Sequence, residues 1–151
     1  MKKCLPMLLI CSVMFILAGC QTPINLEGIA EPTAITYKVW YNQTDTLSSL
    51  MPWDDKGILV LNEKDIQFVG KKQHVKMDKI QGISYGKLSK TIITDSTKWV
   101  KIDYAGPEGK TKRALFMGSS NLGYSGWLGG GNKKMYETIK QKYSSSISND
   151  N

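Results

Sequence analysis

Few side chains in this 151-residue chain could carry out chemistry, and they do not form a recognisable catalytic set. His74 is the single histidine, and no serine or aspartate stands at a spacing that marks it as a catalytic partner. The carboxylates, Asp54 and Asp55 among them, are scattered through predicted turns. A glycosidase-type pair needs two carboxylates at a defined separation across a cleft, which the sequence neither supports nor excludes. We therefore expect a non-catalytic protein without cofactor or metal, with a small carboxylate-dependent hydrolase of cell-wall or envelope material as the alternative.

The start of the chain has the organisation of a secretory signal peptide. Lys2 and Lys3 form a short positive region, and Leu5–Leu17 is an almost unbroken apolar run. That run of about 13 residues is shorter than the ~20 that a membrane-spanning helix needs, and it fits the apolar core of a signal peptide. Pro6 and the small Ala18-Gly19 pair also disfavour an uncleaved anchor helix.

The segment Leu17-Ala18-Gly19-Cys20 resembles the lipobox of bacterial lipoproteins. In that family the cysteine thiol is joined to diacylglycerol, the chain is cut just before the cysteine, and the new N-terminus is acylated, for example with palmitate. The resemblance implies that residues 1–19 are cleaved and that Cys20 is the lipidated first residue of the mature protein. Two or more acyl chains would hold it firmly, since each buried methylene contributes about 0.8 kcal/mol.

The residue after the cysteine bears on the destination of the protein. In Gram-negative lipoproteins an aspartate at this place commonly causes retention in the inner membrane, and Gln21 stands there instead. The resemblance therefore implies attachment to the outer membrane, with the domain in the periplasm. In a cell without an outer membrane, it implies the outer face of the cytoplasmic membrane.

The composition of the mature chain limits its partners and its stabilising chemistry. Removal of residues 1–19 takes away Lys2 and Lys3 and leaves 132 residues with a net charge of +5, which suits one mildly basic domain. Cys4 and Cys11 leave with the signal, so no thiol remains for a disulfide or a zinc site. Export argues against a nucleic acid, and the lysines favour anionic head groups or an envelope protein as partners.

Alternating apolar and polar residues predict seven short strands, separated by turns rich in Gly, Pro, Asn and charged residues. The predicted strands are Ile35–Tyr41, Ile58–Leu61, Ile66–Phe68, His74–Met77, Ile80–Tyr85, Trp99–Tyr104 and Lys112–Met117. Asn132 is the predicted N-cap of an amphipathic helix over Lys133–Tyr143, which should lie against the sheet. A single domain at 34–143 would thus follow a tether at 20–33 and precede a disordered tail at 144–151.

The pattern also predicts which side chains share a face. In the last strand we expect Ala114 and Phe116 on one face of the sheet and Leu115 and Met117 on the other. We expect Trp99 in core or rim packing rather than in a ligand cage.

The order of Gly57–Leu61, Ile66–Phe68, Val75–Ile80 and Trp99–Tyr104 resembles bacterial pleckstrin-homology-like and GRAM-like domains. The likeness spans 57–143, and the long insertion before Gly57 departs from the usual start. It implies a mainly β (α+β) fold, in which a small bent antiparallel sheet or partly open barrel is closed by one C-terminal amphipathic helix.

Two predicted hairpins carry basic residues that could contact an anion. Lys71, Lys72 and Lys76 lie on and beside one turn, and Lys112 and Arg113 follow another. Some pleckstrin-homology-like domains hold anionic head groups with such basic tips, where charge-assisted hydrogen bonds to phosphate are strong. The alternative is ordinary solubilising lysine at turns and edge strands, which also discourages pairing between sheets.

The glycine-rich loop 119–131 is the other candidate contact. Phosphate-binding loops aim backbone N–H groups at an anion from a helix N-terminus, but Asn132 stands where such a loop has its lysine. The simpler interpretation is a connector between the last strand and the helix. Tyr124 and Trp127 keep a partner-binding role open, because glycines can let aromatic side chains face a contact surface.

Overall fold

The computed structural model describes residues 23–43, 54–87, 98–106, 109–119 and 131–147. The strands within these ranges number seven, and one helix follows them, as the sequence predicts. They are β1 Ile35–Asn42, β2 Asp55–Leu61, β3 Ile66–Gly70, β4 His74–Met77, β5 Ile80–Lys87, β6 Lys98–Ala105, β7 Thr111–Gly118 and α1 Gly131–Ile147. The described chain is therefore mainly β with a C-terminal helix.

All seven strands form one open antiparallel sheet in the order β4-β3-β2-β1-β7-β6-β5. Consecutive strands pair from β1 to β4 and again from β5 to β7, and β1 joins the two groups by pairing with β7. β1 pairs with β2 from Ile35 to Tyr41 but with β7 only from Val39 to Asn42. The first half of β1 thus has a strand partner on one side only among the described residues.

The two faces of the sheet carry separate apolar clusters. Ala114 and Phe116 belong to the main core beneath α1, whereas Leu115 and Met117 pack with Trp99 on the opposite face. The predicted division of faces is confirmed, and Trp99 is fully buried, as its predicted packing role requires. Alternation along a strand fixes this division because successive side chains point to opposite faces.

The helix α1 packs its Met135, Ile139 and Tyr143 into the main core, at the spacing of one helical face. It extends four residues beyond the predicted end and into the predicted disordered tail, because Ile147 continues that face one turn after Tyr143 and packs against the core. Residues 148–151 lie outside the described ranges.

The start of α1 also differs from its prediction. The helix begins at Gly131, and Asn132 does not cap it from outside. The Asn132 side chain accepts a hydrogen bond from Gly118 N at 2.7 Å and donates one to Lys98 O at 2.9 Å. The buried Asn132 side chain therefore links the end of β7 and the start of β6 to the helix.

Part of the predicted tether lies against the sheet. The Asn62 side chain, in the turn between β2 and β3, donates to Ile29 O at 3.0 Å and accepts from Glu31 N at 3.1 Å. The Glu31 carboxylate accepts a hydrogen bond from Glu63 N at 2.7 Å. The chain from Ile29 onward is therefore held by the domain. Among the described helices, none has the length and apolar character required to cross a bilayer.

Candidate functional site

The first basic candidate, the turn between β3 and β4, is closed around a carboxylate of the chain itself. Asp55 accepts hydrogen bonds from the backbone N–H groups of Lys71 at 3.2 Å, Lys72 at 2.8 Å and Gln73 at 3.2 Å. Its side chain is buried there. Gly70 permits this approach, since a Cβ at that position would lie 2.0 Å from Asp55 Oδ2.

Converging backbone N–H groups of this kind form a concave anion-binding site. In this turn Asp55 fills that site, so an external anion would meet only the lysine side chains. The Lys72 ammonium itself donates to Asp54 O at 3.1 Å. The backbone N–H groups of the turn between β3 and β4 are thus occupied by Asp55, and the turn has exposed positive charge on its outer side.

Lys76, on β4, lies between two aspartates. Its Nζ is 3.0 Å from Asp78 Oδ1 and 3.4 Å from Asp65 Oδ2. Partial burial acts to raise the pKa of Asp65, but hydrogen bonds from Asn62, Gln67 and Lys76 outweigh it and hold that pKa below its ordinary value. The hydrogen bond to Asp78 in turn raises the pKa of Lys76. The positive charge of Lys76 is therefore balanced by these two carboxylates at this edge of the sheet.

The second basic candidate is on β7. Arg113 forms a two-point ion pair with Asp103 of β6, with Nε 2.5 Å from Oδ1 and Nη2 3.0 Å from Oδ2. This pairing of two guanidinium nitrogens with both carboxylate oxygens is the strongest arrangement available to an arginine and a carboxylate. The stem of Lys112 lies over Gly106, where a Cβ would come within 2.8 Å of lysine side-chain carbons.

The structure does not gather the predicted contact residues into one site. Lys71, Lys72 and Lys76 contact β2 and its adjoining turns, whereas Arg113 contacts β6, and β1 and β2 lie between β3 and β7 in the sheet. The other predicted contacts, Tyr124 and Trp127, and the predicted lipidation residue Cys20 lie outside the described residues.

The residues considered for catalysis have structural neighbours. His74 Nε2 is 2.9 Å from Gln67 Oε1 on the exposed side of β3 and β4. Asp54 Oδ2 accepts a hydrogen bond from Gln43 N at 3.0 Å. Over the described ranges no cluster of His, Cys, Asp and Glu has the arrangement needed to hold a metal ion.

A groove that the sequence does not predict lies between the first half of β1 and the N-terminal half of α1. It has a volume of about 610 Å³ and is lined by Ile35, Thr36, Tyr37, Lys38, Gly118, Ser119, Gly131, Asn132, Lys134, Met135 and Thr138. Ile35 is 41% exposed at its rim, and no other large apolar side chain of the described residues is exposed. The groove thus joins an apolar wall, an open strand edge and two lysines.

The groove exists because β7 leaves β1 at Gly118, halfway along β1. Ser119 N still donates to Lys38 O at 2.8 Å, and Ile35–Lys38 have no β7 partner beyond that bond. Gly118 was the one available signal in the sequence, since a glycine can end a strand.

The scan against protein-family models, the search of curated proteins and the search of solved structures each gave no match.

Proposed function

We propose that this chain is a lipid-anchored protein of the bacterial envelope whose β-sheet domain is a non-catalytic binding or scaffolding module. The anchor rests on the resemblance of Leu17-Ala18-Gly19-Cys20 to a lipobox behind a charged start and an apolar run. Lipid on Cys20 joins the protein to the membrane. In a Gram-negative cell this is the outer membrane, because Gln21 rather than an aspartate follows the cysteine. Its partners are then an envelope protein or anionic head groups, not a nucleic acid.

The docking of Ile29 and Glu31 onto Asn62 sets how far the domain can stand from the membrane. Residues 20–28 would connect the lipid to this contact, and they run into a turn in which Leu26 O accepts hydrogen bonds from Ile29 N and Ala30 N. At about 3.3–3.6 Å per extended residue, nine residues reach roughly 30 Å at most. The turn between β2 and β3 would therefore stay within ~30 Å of the membrane surface, which suits a protein that acts beside the membrane.

We also propose that the fold is pleckstrin-homology-like. Support comes from the order of the elements: a four-stranded run β1–β4, a three-stranded run β5–β7 and a C-terminal helix against the core. β1 lies at the centre and joins both runs. This arrangement agrees with the small bent sheet and closing helix that the resemblance implies.

The observation that carries the binding role is the groove between β1 and α1. Ligand sites are typically concave, largely apolar and about 300–1,000 Å³ in volume. The groove has this volume and a strand edge that can form main-chain hydrogen bonds. The non-catalytic part of the proposal is supported by the carboxylates, since Asp55, Asp65 and Asp103 are each engaged by structural partners.

The anchor is tested by replacing the proposed lipidation residue in the native host. Cys20→Ser should abolish fatty-acid labelling and leave the uncleaved precursor, because cleavage follows thiol modification in this family. Cys11→Ser, within the apolar run, is the matched control and should be labelled and processed normally. A Cys20→Ser protein of mature size that still partitions into membranes would overturn the proposal.

A further inference from the structure

We propose that the groove between β1 and α1 binds an extended, acidic peptide segment of an envelope protein, which adds to the sheet as a strand beside Ile35–Lys38. This inference rests on the proposed binding function and names the class of its partner. An extended peptide can add to an exposed sheet edge, where main-chain hydrogen bonds give affinity and alternate side chains give specificity.

At this edge of β1, the direction of the backbone N–H and C=O groups favours the addition of a strand. Lys38 O accepts from Ser119 N on the β7 side of β1, while Tyr41 O accepts from Asp54 N on the β2 side. Backbone groups alternate sides along a strand, so the N–H and C=O of Thr36 point to the same side as those of Lys38. β7 has already left the sheet there, and Thr36 has no strand partner on that side among the described residues. Within the described part of the chain, the N–H and C=O of Thr36 thus face the groove without a strand partner.

The walls of the groove fit a peptide with alternating side chains. Tyr37 packs against the main core on the helix side of β1, and Met135 and Thr138 of α1 line the opposite wall. A strand added beside Thr36 would point every second side chain toward this apolar wall. Its other side chains would lie on the outer face, alongside Lys38.

The positive charge of the lysines at the groove favours acidic residues among the peptide side chains that lie on the outer face. Lys38 and Lys134 both line the groove and are exposed, and neither forms an ion pair with a described residue. On the same helix, by contrast, Lys133 pairs with Glu137 at 3.8 Å and Lys140 lies over the Tyr136 ring. Unpaired lysines beside a binding surface favour a negatively charged partner and disfavour a positively charged one.

The same charges argue against a second copy of this chain as the occupant. Two copies pairing edge to edge would bring Lys38 of each copy to one interface, and like charges at an interface are unfavourable. A carboxylate-bearing strand from a different protein satisfies both the unpaired backbone groups and the lysines.

The test uses the protein purified from its native host in non-ionic detergent, with binding read by fluorescence anisotropy. The probe is a labelled short peptide in which glutamate alternates with valine. Thr36→Pro removes the N–H that faces the groove and leaves the β2 pairing, so we expect about tenfold weaker binding, equal to ~1.4 kcal/mol. Thr36→Val keeps that N–H and is the matched control, with affinity within about twofold of wild type.

A second pair of variants tests the charge. Lys38→Glu combined with Lys134→Glu should weaken the glutamate probe about tenfold. Lys64→Glu combined with Lys79→Glu changes the net charge by the same amount at exposed turns outside the groove and should bind as wild type does. A probe with lysine in place of glutamate should not bind wild-type protein.

Backbone pairing is checked without altering the protein by N-methylating alternate residues of the probe, which removes its edge hydrogen bonds and should abolish binding. The proposal is overturned if wild-type protein does not bind the probe, or if the N-methylated probe binds equally well. A dimer that Thr36→Pro dissociates would assign the edge to a second copy and would also overturn it. These readings use purified protein whatever its N-terminus, so failure of the lipid anchor would appear separately, as loss of fatty-acid labelling.

Discussion

The Tyr143 hydroxyl, near the end of α1, lies 2.5 Å from the carbonyl oxygen of Asn62 in the turn between β2 and β3. It also lies 2.9 Å from the carbonyl oxygen of Asp65 in the same turn. The Asn62 side chain holds Ile29 at the same place. One turn therefore joins the segment that leads from the proposed lipid anchor, the middle of the sheet and the last helix.

Tyr143→Phe removes the hydroxyl and leaves the ring in the core. Burial raises the pKa of Tyr143, so its proton stays in place to donate across the usual pH range. Loss of that donor leaves the Asn62 carbonyl in a buried site without it, and we expect the free energy of unfolding to fall by about 1–2 kcal/mol. Urea denaturation measures this difference.

The control for that variant is Tyr136→Phe on the same helix. Tyr136 is half-buried and stacks on Tyr85 with ring centroids 5.3 Å apart, an arrangement that phenylalanine preserves. We expect a change within about 0.5 kcal/mol. Equal effects of the two substitutions would show that the link between Tyr143 and Asn62 does not stabilise the domain.

Asp55→Asn tests the carboxylate enclosed by the turn between β3 and β4. An amide in its place has one acceptor oxygen for the N–H groups of Lys71, Lys72 and Gln73, and its NH₂ would face donors. We expect a loss of about 1.5–3 kcal/mol, because hydrogen bonds to a charged group are stronger than neutral ones. Thermal unfolding of the variant measures it.

Asp78→Asn is the matched control, because it removes a carboxylate from the exposed end of the Lys76 ion pair. Surface ion pairs typically contribute at most about 1 kcal/mol, so we expect a small effect. If Asp78→Asn costs as much as Asp55→Asn, the enclosed carboxylate has no special role in closing the turn.

The depressed pKa of Asp65 predicts how stability depends on pH. Its folded-state pKa lies below the ordinary value of 3.8, so folding favours the charged form. The contribution is fully present above the unfolded-state pKa and is lost as the pH falls through the folded-state pKa. The stability difference between wild type and Asp65→Asn should therefore be constant near neutral pH and shrink below about pH 4. A difference that stays constant through the acid range would contradict this assignment.

Local pattern predicted the elements of this fold because strand alternation and helical spacing are properties of neighbouring residues. The separation of Ala114 and Phe116 from Leu115 and Met117 follows from a period of two. The helix runs past its predicted end at Tyr143 because Ile147, which stands next to three serines in the sequence, packs against the core. A single apolar residue one turn after Tyr143 was enough to extend the helix.

The candidate sites depended on contacts between distant parts of the chain, and local pattern does not encode these. The sequence predicts Asp55 in a turn, and its role depends on the turn after Gly70, which folds over its carboxylate. The residues around Arg113 in the sequence do not indicate its partner, because Asp103 is brought beside it only by the pairing of β6 with β7. The groove depends on how far β7 runs along β1, a register that the sequence of neither strand specifies alone.

The start of the mature chain at a lipidated Cys20 is tested most directly by the intact mass of the protein extracted from membranes of its native host. We predict a chain that starts at Cys20 and carries the additional mass of diacylglycerol, with or without a further acyl chain on the new N-terminus. A chain that starts at Met1, or that starts at Cys20 without acyl mass, would contradict the account.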